Sequence, residues 1–294
     1  MNFSDRVIVG TARHGPLCVG IDPHAGRIPD LFGGDTPGGI AAWGEAIIEI
    51  AADKVAAIKP QVGLFERHGP EGVAALQRVC RAGREAGLLV IADAKRGDIG
   101  STAEGYAAAY LEPGAPFEAD ALTVNPYMGM DTLSPFVDRA AAHGKGVVVL
   151  ARTSNPGSAD FQSKDIDGQP LYARVVQALE PMIKRLEGAE GWSSLMLVTG
   201  ATGPDEARSL RRLAPEALFL VPGYGAQGAG AADAVAGFVN GKGGLVNASR
   251  SVTFPEAATR SGDITGWQNA IEGAMIAAQT ELKQALGELG KRTL

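Results

Sequence analysis

Short apolar runs recur along the chain, each ending in a polar residue, a glycine or a proline and each followed by a longer stretch of helical composition. Eight of them, residues 17–21, 55–58, 88–92, 121–124, 147–151, 195–198, 218–221 and 244–247, are rich in Val, Ile and Leu. They are mostly apolar rather than alternating, the pattern of strands covered on both faces. Between them, residues 40–52 and 71–86 place apolar side chains at mixed three- and four-residue spacings, which predicts helices. Pro70, Pro204 and Pro255 suit first helical turns, and Asp131 suits the N-cap of a helix over 132–142. Residues 266–289 read as one long closing helix. Strands alternating with helices imply a parallel sheet. Eight such units in 294 residues predict a closed (β/α)8 TIM barrel. No linker divides the chain, so residues 1–294 are expected to form one domain with N- and C-terminal helices. The alternative is a doubly wound open sheet, although no GxGxxG follows the first run. The longest irregular stretch, 152–170, has the polarity of a loop over a site.

Composition narrows the function classes. The net charge of −6, from 27 basic and 33 acidic residues, argues against a nucleic-acid binder. Two cysteines, Cys18 and Cys80, lie in apolar or helical runs and read as buried thiols, not a disulfide. Four scattered histidines offer no metal-ligand spacing, and neither a metal nor a cofactor is expected. Residues 1–10 lack a leader pattern, and no apolar run approaches membrane length. The expectation is a cytoplasmic protein with no membrane partner.

The chemistry gathers where strands end. Leu88-Leu89-Val90-Ile91-Ala92 runs directly into Asp93-Ala94-Lys95-Arg96-Gly97-Asp98. On a regular strand Asp93 and Lys95 point the same way. Opposite charges at the end of a buried strand are costly unless something uses them. Asp22 and Lys59 end the first two strands, so four charged groups from strands one to three face one mouth. Asn125 follows strand four, and Arg152-Thr153-Ser154-Asn155-Pro156 follows strand five. Beyond strand seven, Gly223, Gly225, Gly228 and Gly230 free backbone N–H groups to approach an anion. Gln227 and Arg250 beside them suit a phosphate, whose usual place in this fold is between loops seven and eight.

These residues resemble the orotidine 5'-phosphate decarboxylase family from about Leu17 to Val252. Asp93-Ala94-Lys95-Arg96-Gly97-Asp98-Ile99-Gly100-Ser101-Thr102 is similar to its D-x-K-x-x-D-I-x-x-T signature. Ile58-Lys59-Pro60-Gln61 and Thr153-Ser154-Asn155-Pro156-Gly157 look like its longer bacterial (type 2) subgroup. The resemblance implies decarboxylation of orotidine 5'-phosphate to uridine monophosphate without metal or cofactor, in pyrimidine biosynthesis. It makes Lys59, Asp93, Lys95 and Asp98 an alternating charge tetrad with Lys95 as proton donor. It implies that Asp22 and Lys59 bind the ribose hydroxyls, Ser154 the pyrimidine, and Gln227 and Arg250 the phosphate. It implies a homodimer in which Asp98 and Thr102 reach the partner's site. An ammonium near C6 would stabilise the carbanion left by carbon dioxide and then protonate it. Carboxylates beside Lys95 favour its charged form. Phosphate binding far from C6 would serve to close residues 222–232 and order the site.

Three other readings use the same residues. Magnesium-dependent relatives share D-x-K-x-x-D but carry an acid where this chain has Lys59, which would repel the ion. A Schiff-base aldolase needs a lysine of lowered pKa, the opposite of a lysine among carboxylates. A nucleotide-phosphate sensor does not require four alternating charges.

Overall fold

The apolar runs become eight strands whose edges meet. In the computed structural model, which describes residues 1–225 and 228–292, the strands are β1 (Leu17–Ile21), β2 (Ala57–Pro60), β3 (Leu89–Arg96), β4 (Ala121–Val124), β5 (Gly146–Arg152), β6 (Ser193–Thr199), β7 (Ala217–Val221) and β8 (Gly244–Ala248). All are parallel neighbours, and β1 pairs with both β2 and β8, so the sheet closes as a (β/α)8 barrel.

Alternation within each strand builds two apolar layers. Leu17, Val19 and Ile21 point outward to the helices, and Cys18 points into the barrel. Ile91, Val148, Met196, Leu218 and Leu245 fill the interior with it. The helix Phe3–His14, whose N-terminus is capped by the Asn2 side chain accepting from the Asp5 N–H, plugs the lower end with Phe3, Val7 and Ile8. Ion pairs surround that plug: Arg6 with Asp120 at 2.6 Å, Arg84 with Glu118 at 2.8 Å, and Lys145 with Glu118 at 2.9 Å. The helix Ile264–Arg292 lies along the outer layer, burying Trp267, Ile271, Met275 and Leu282 at helical spacing. Cys18 and Cys80 are free and buried, and burial pushes both thiols up to about 12, which makes them inert. Among the described residues no helix is long and apolar enough to cross a membrane.

Several expected boundaries move. β2 starts at Ala57 and carries Lys59 within the strand, and β6 begins early at Ser193. Asp131 sits inside a 3-10 turn, Met130–Leu133, and the following helix is Ser134–His143, so it is not an N-cap. Pro70 and Pro204 occupy first turns, whereas Pro255 precedes its helix, Glu256–Thr259. The stretch 152–170 contains a short helix, Ser158–Phe161, and a hairpin pairing Asp165–Ile166 with Gln169–Pro170.

β8, which leads to the top of the barrel, starts at a glycine with no room for a side chain. A Cβ on Gly244 would lie 1.9 Å from the Phe219 carbonyl oxygen, and its φ of 153° disfavours other residues. Gly244→Ala should therefore cost about 3 kcal/mol, read as a lower urea midpoint at unchanged slope. A wild-type midpoint would show that β7 and β8 can separate there freely.

Candidate active site

Parallel strands deliver their carboxyl ends to one rim, and there the structure opens a cavity of about 600 Å³. Its walls carry Asp22 from the end of β1, Lys59 and Gln61 from β2 and beyond, Asp93 and Lys95 from β3, and Thr123 from β4. Thr153 and Ser154 come from the loop after β5, Gly223 and Tyr224 from the loop after β7, and Asn247, Ser249 and Arg250 from β8 and its continuation.

Asp93 is the hub. Its Oδ2 accepts from Lys59 Nζ at 2.7 Å and from Gln61 Nε2 at 2.9 Å. Its Oδ1 accepts from Lys95 Nζ at 2.5 Å and from Thr123 Oγ1 at 3.1 Å. Burial alone would raise the Asp93 carboxyl, but the two lysines outweigh it and hold the carboxyl well below the usual range. Burial alone would lower Lys59, but Asp93 and then Asp22, at 4.0 Å, outweigh it and raise the ammonium above its ordinary value. Lys95 differs in exposure: 46% of its side chain is accessible against 5% for Lys59. The inner lysine is locked and the outer one faces the cavity.

The contact between Asp93 and Lys95 does not come from regular alternation. The β3–β4 register shifts between Ala92 and Arg96, and Lys95 takes a left-handed φ of 49°. Its N–H leaves the ladder and donates to Thr123 Oγ1 at 2.8 Å. This irregularity re-aims the side chain, as bulges beside active sites do.

The wall from β8 to β1 is unsaturated. Asp22 Oδ1, Asn247 Oδ1 and Ser249 Oγ are buried and have no hydrogen-bond partner among the described residues. Buried polar atoms are normally paired, so their concentration beside the cavity fits a ligand site. At the mouth Arg250 is exposed. Burial lowers the pKa of His24, and Arg250, Arg27 and Arg67 push the same way against Asp22. Arg250 and Arg27 thus bring positive charge to the mouth beside the Asp22 carboxylate. Tyr224 is tied by its hydroxyl to Glu281 Oε2 at 2.6 Å, which joins the loop after β7 to the C-terminal helix. Gly223, Gly225 and Gly228 in that loop have φ values of 100°, 73° and 88°, whereas Gly230 is extended.

Of the residues singled out from the sequence, Asp22, Lys59, Asp93, Lys95, Ser154 and Arg250 line this cavity. Gln227 lies outside the described residues. Asp98 and Thr102 do not line it: Asp98 accepts from the Ile99 N–H at 2.8 Å, and Thr102 is exposed. Asn125 forms a turn, accepting from the Tyr127 N–H at 3.0 Å. Gln61 and Thr123 received no role from the sequence, nor did Asn247. Their signal was present: each is a polar residue within or just past a buried apolar strand.

The chain is similar to known proteins over most of its length. The sequence model described as the Orotidine 5'-phosphate decarboxylase / HUMPS family matches residues 15–260. A Rhodopirellula baltica protein named orotidine 5'-phosphate decarboxylase is 38% identical over 300 residues, covering 96% of this chain and 99% of its own length. A Salinispora arenicola protein of the same name is 45% identical over 232 residues, covering 79% of this chain and 82% of its own. The solved structure of Leishmania donovani OMP decarboxylase superposes with a TM-score of 0.76 at 33% identity, covering 97% of this chain and 99% of that one.

The directions of the two shifts define a pH window. The lowered Asp93 contributes stability above the unfolded carboxyl value of about 4, which is lost as pH falls through its folded value. The raised Lys59 contributes below the unfolded lysine value of about 10.4, which is lost as pH rises through its folded value. Asp93→Asn leaves the Lys59 cation buried and should cost about 3 kcal/mol at neutral pH. In urea titrations at several pH values, the acid-side decline below about pH 4 should also flatten. Equal stability of variant and wild type would show that Asp22 alone compensates Lys59.

Proposed function

Because the chain belongs to the Orotidine 5'-phosphate decarboxylase / HUMPS family, we propose the following assignment of activity to its residues. The chain decarboxylates orotidine 5'-phosphate to uridine monophosphate, a carboxy-lyase step of pyrimidine biosynthesis. The observation that carries the mechanism is the Lys59–Asp93–Lys95 array at the base of the cavity, with its inner ammonium locked and its outer one accessible. The bond from C6 to the carboxyl carbon breaks, its electron pair stays on C6, and carbon dioxide leaves. The Lys95 ammonium, fixed before the reaction starts, stabilises that pair and gives its proton to C6.

The remaining residues divide the substrate among them. Asp22 and Lys59 bind the ribose hydroxyls, a role supported by the unpartnered Asp22 Oδ1. Ser154 meets the pyrimidine. Arg250, exposed at the mouth, takes the phosphate together with Gln227. Of the two activities joined in the family's description, Lys59 favours decarboxylation. Its ammonium occupies one side of Asp93, where the metal-dependent relatives need an acid. A Schiff-base role for Lys59 is opposed by its raised pKa.

The protein acts as a homodimer in which Asp98 and Thr102 complete the partner's site. Two features support this reading. Asp98 does not line its own cavity, and the surface beside it exposes Ile99 and, past β4, Tyr127 and Met128. Large exposed apolar side chains near a functional rim mark an interaction surface.

Pyrimidine absorbance of orotidine 5'-phosphate, followed with chelator present, should fall with wild-type protein and stay constant with Lys95→Ala. Equal rates would end the assignment of Lys95. Asp98→Ala should be inactive alone yet recover activity when its subunits are exchanged with those of Lys95→Ala, because one site of the mixed dimer is then intact. Failure to recover, or a fully active monomer, would place Asp98 outside the shared site.

A further inference from the structure

Proton delivery to one ring carbon needs the Lys95 ammonium at a fixed height, yet lysine is a point charge on a flexible four-carbon stem. Asp93 can fix that height only if its own carboxylate cannot turn. We propose that Thr123 is a positioning residue for this reaction, acting with Gln61 to immobilise Asp93 and thereby the Lys95 ammonium. The inference rests on the reading of Lys95 as the proton donor.

A carboxylate offers about four acceptor directions. In Asp93 all are taken: Lys59 and Gln61 donate to Oδ2, and Lys95 and Thr123 donate to Oδ1. The two lysines supply charge and the two neutral residues supply direction. Saturated in this way, Asp93 is a fixed negative charge with no acceptor position left for a proton from the substrate.

Thr123 does more than fill a position. Its Oγ1 accepts from the Lys95 N–H at 2.8 Å, which occupies one lone pair and turns the single hydroxyl proton to the other side. There Asp93 Oδ1 lies at 3.1 Å and the Ala92 carbonyl at 3.4 Å. One oxygen atom therefore links the backbone of Lys95 to the carboxylate that holds the Lys95 side chain. It also satisfies the amide that the register shift removes from the β3–β4 ladder, which helps Lys95 keep its left-handed φ of 49°. The hydroxyl is suited to this because Thr123 is 1% exposed and β-branched, so solvent does not compete and χ1 is stiff. Gln61 holds the opposite oxygen from just past β2, where its backbone continues the pairing toward Asp93 as a parallel bridge.

Valine at position 123 keeps the shape and removes the hydroxyl. It leaves the Lys95 N–H unpaired and frees Asp93 to rotate toward Lys59. The test compares kcat and KM for orotidine 5'-phosphate in wild type, Thr123→Val, Thr123→Ser, Gln61→Leu and Lys95→Ala. Thr123→Val should lower kcat by about 10- to 100-fold with KM within about threefold, the pattern of a misplaced reacting group and not of lost binding. Thr123→Ser, which keeps the hydroxyl, should restore kcat to within about threefold of wild type. If Thr123→Val folds too poorly to assay, Gln61→Leu at its half-buried position carries the same expectation. A wild-type kcat in the assayable variant overturns the inference, as does a loss that serine fails to restore, because that loss would come from packing. Lys95→Ala separates the two levels. If it is inactive while Thr123→Val is unchanged, only the positioning role fails; if it is active, the proton-donor reading fails first.

Discussion

A single buried negative charge organises the top of this barrel. Asp93 sits where carbon–carbon packing gives way to solvent, and its carboxylate is tolerable there only because two ammonium groups meet it from different directions. That requirement fixes Lys59 inside β2, draws Lys95 back toward its own strand and leaves Asp22 as a second, weaker counter-charge. Removing Asp93 leaves the buried Lys59 ammonium without its close partner in a low-dielectric site. What looks like a substrate pocket is thus also a closed electrostatic unit.

The two ends of the barrel use polar groups differently. At the lower end Arg6, Arg84 and Lys145 are matched to Asp120 and Glu118, and Asp120 also accepts from the Val90 N–H. At the upper end the β8–β1 wall keeps polar atoms without partners. The ion pairs of the lower end tie the strands to the N-terminal plug, whereas the polar atoms of the upper wall border the cavity. Phe3 seals the lower end so tightly that a Cβ on Gly146 would lie 2.3 Å from its ring.

Much of this was legible in the chain itself. The eight apolar runs become the eight strands because nothing else in the sequence could bury them, and continuous apolarity signalled two covered faces. The charged strand end announced the site for the same reason, an energetic misfit. The misses have physical causes. Asp131 was expected to start a helix by its capping chemistry, but the chain tightens into a 3-10 turn first and the helix begins three residues later. Asp93 and Lys95 meet, but through a break in register that period-two reasoning does not foresee. Thr123 and Gln61 show in the sequence only as polar residues in or just past apolar strands, and a lone hydroxyl or amide carries no motif; its meaning appears only when a carboxylate from another strand arrives beside it. Asp98 and Thr102 illustrate the opposite case: the motif names them, and the single chain leaves them outside its cavity.

The backbone at Lys95 carries a consequence for how such a sequence can change over generations. A left-handed φ of 49° suits glycine or asparagine better than lysine. At this position the backbone by itself prefers a different residue from the one that Asp93 pairs with. Backbone strain therefore opposes the lysine at this position, while its ion pair with Asp93 favours it. A descendant that exchanges Lys95 for glycine relieves the backbone there but also removes one of the two cations that hold Asp93, so this position can drift only if the carboxylate changes with it.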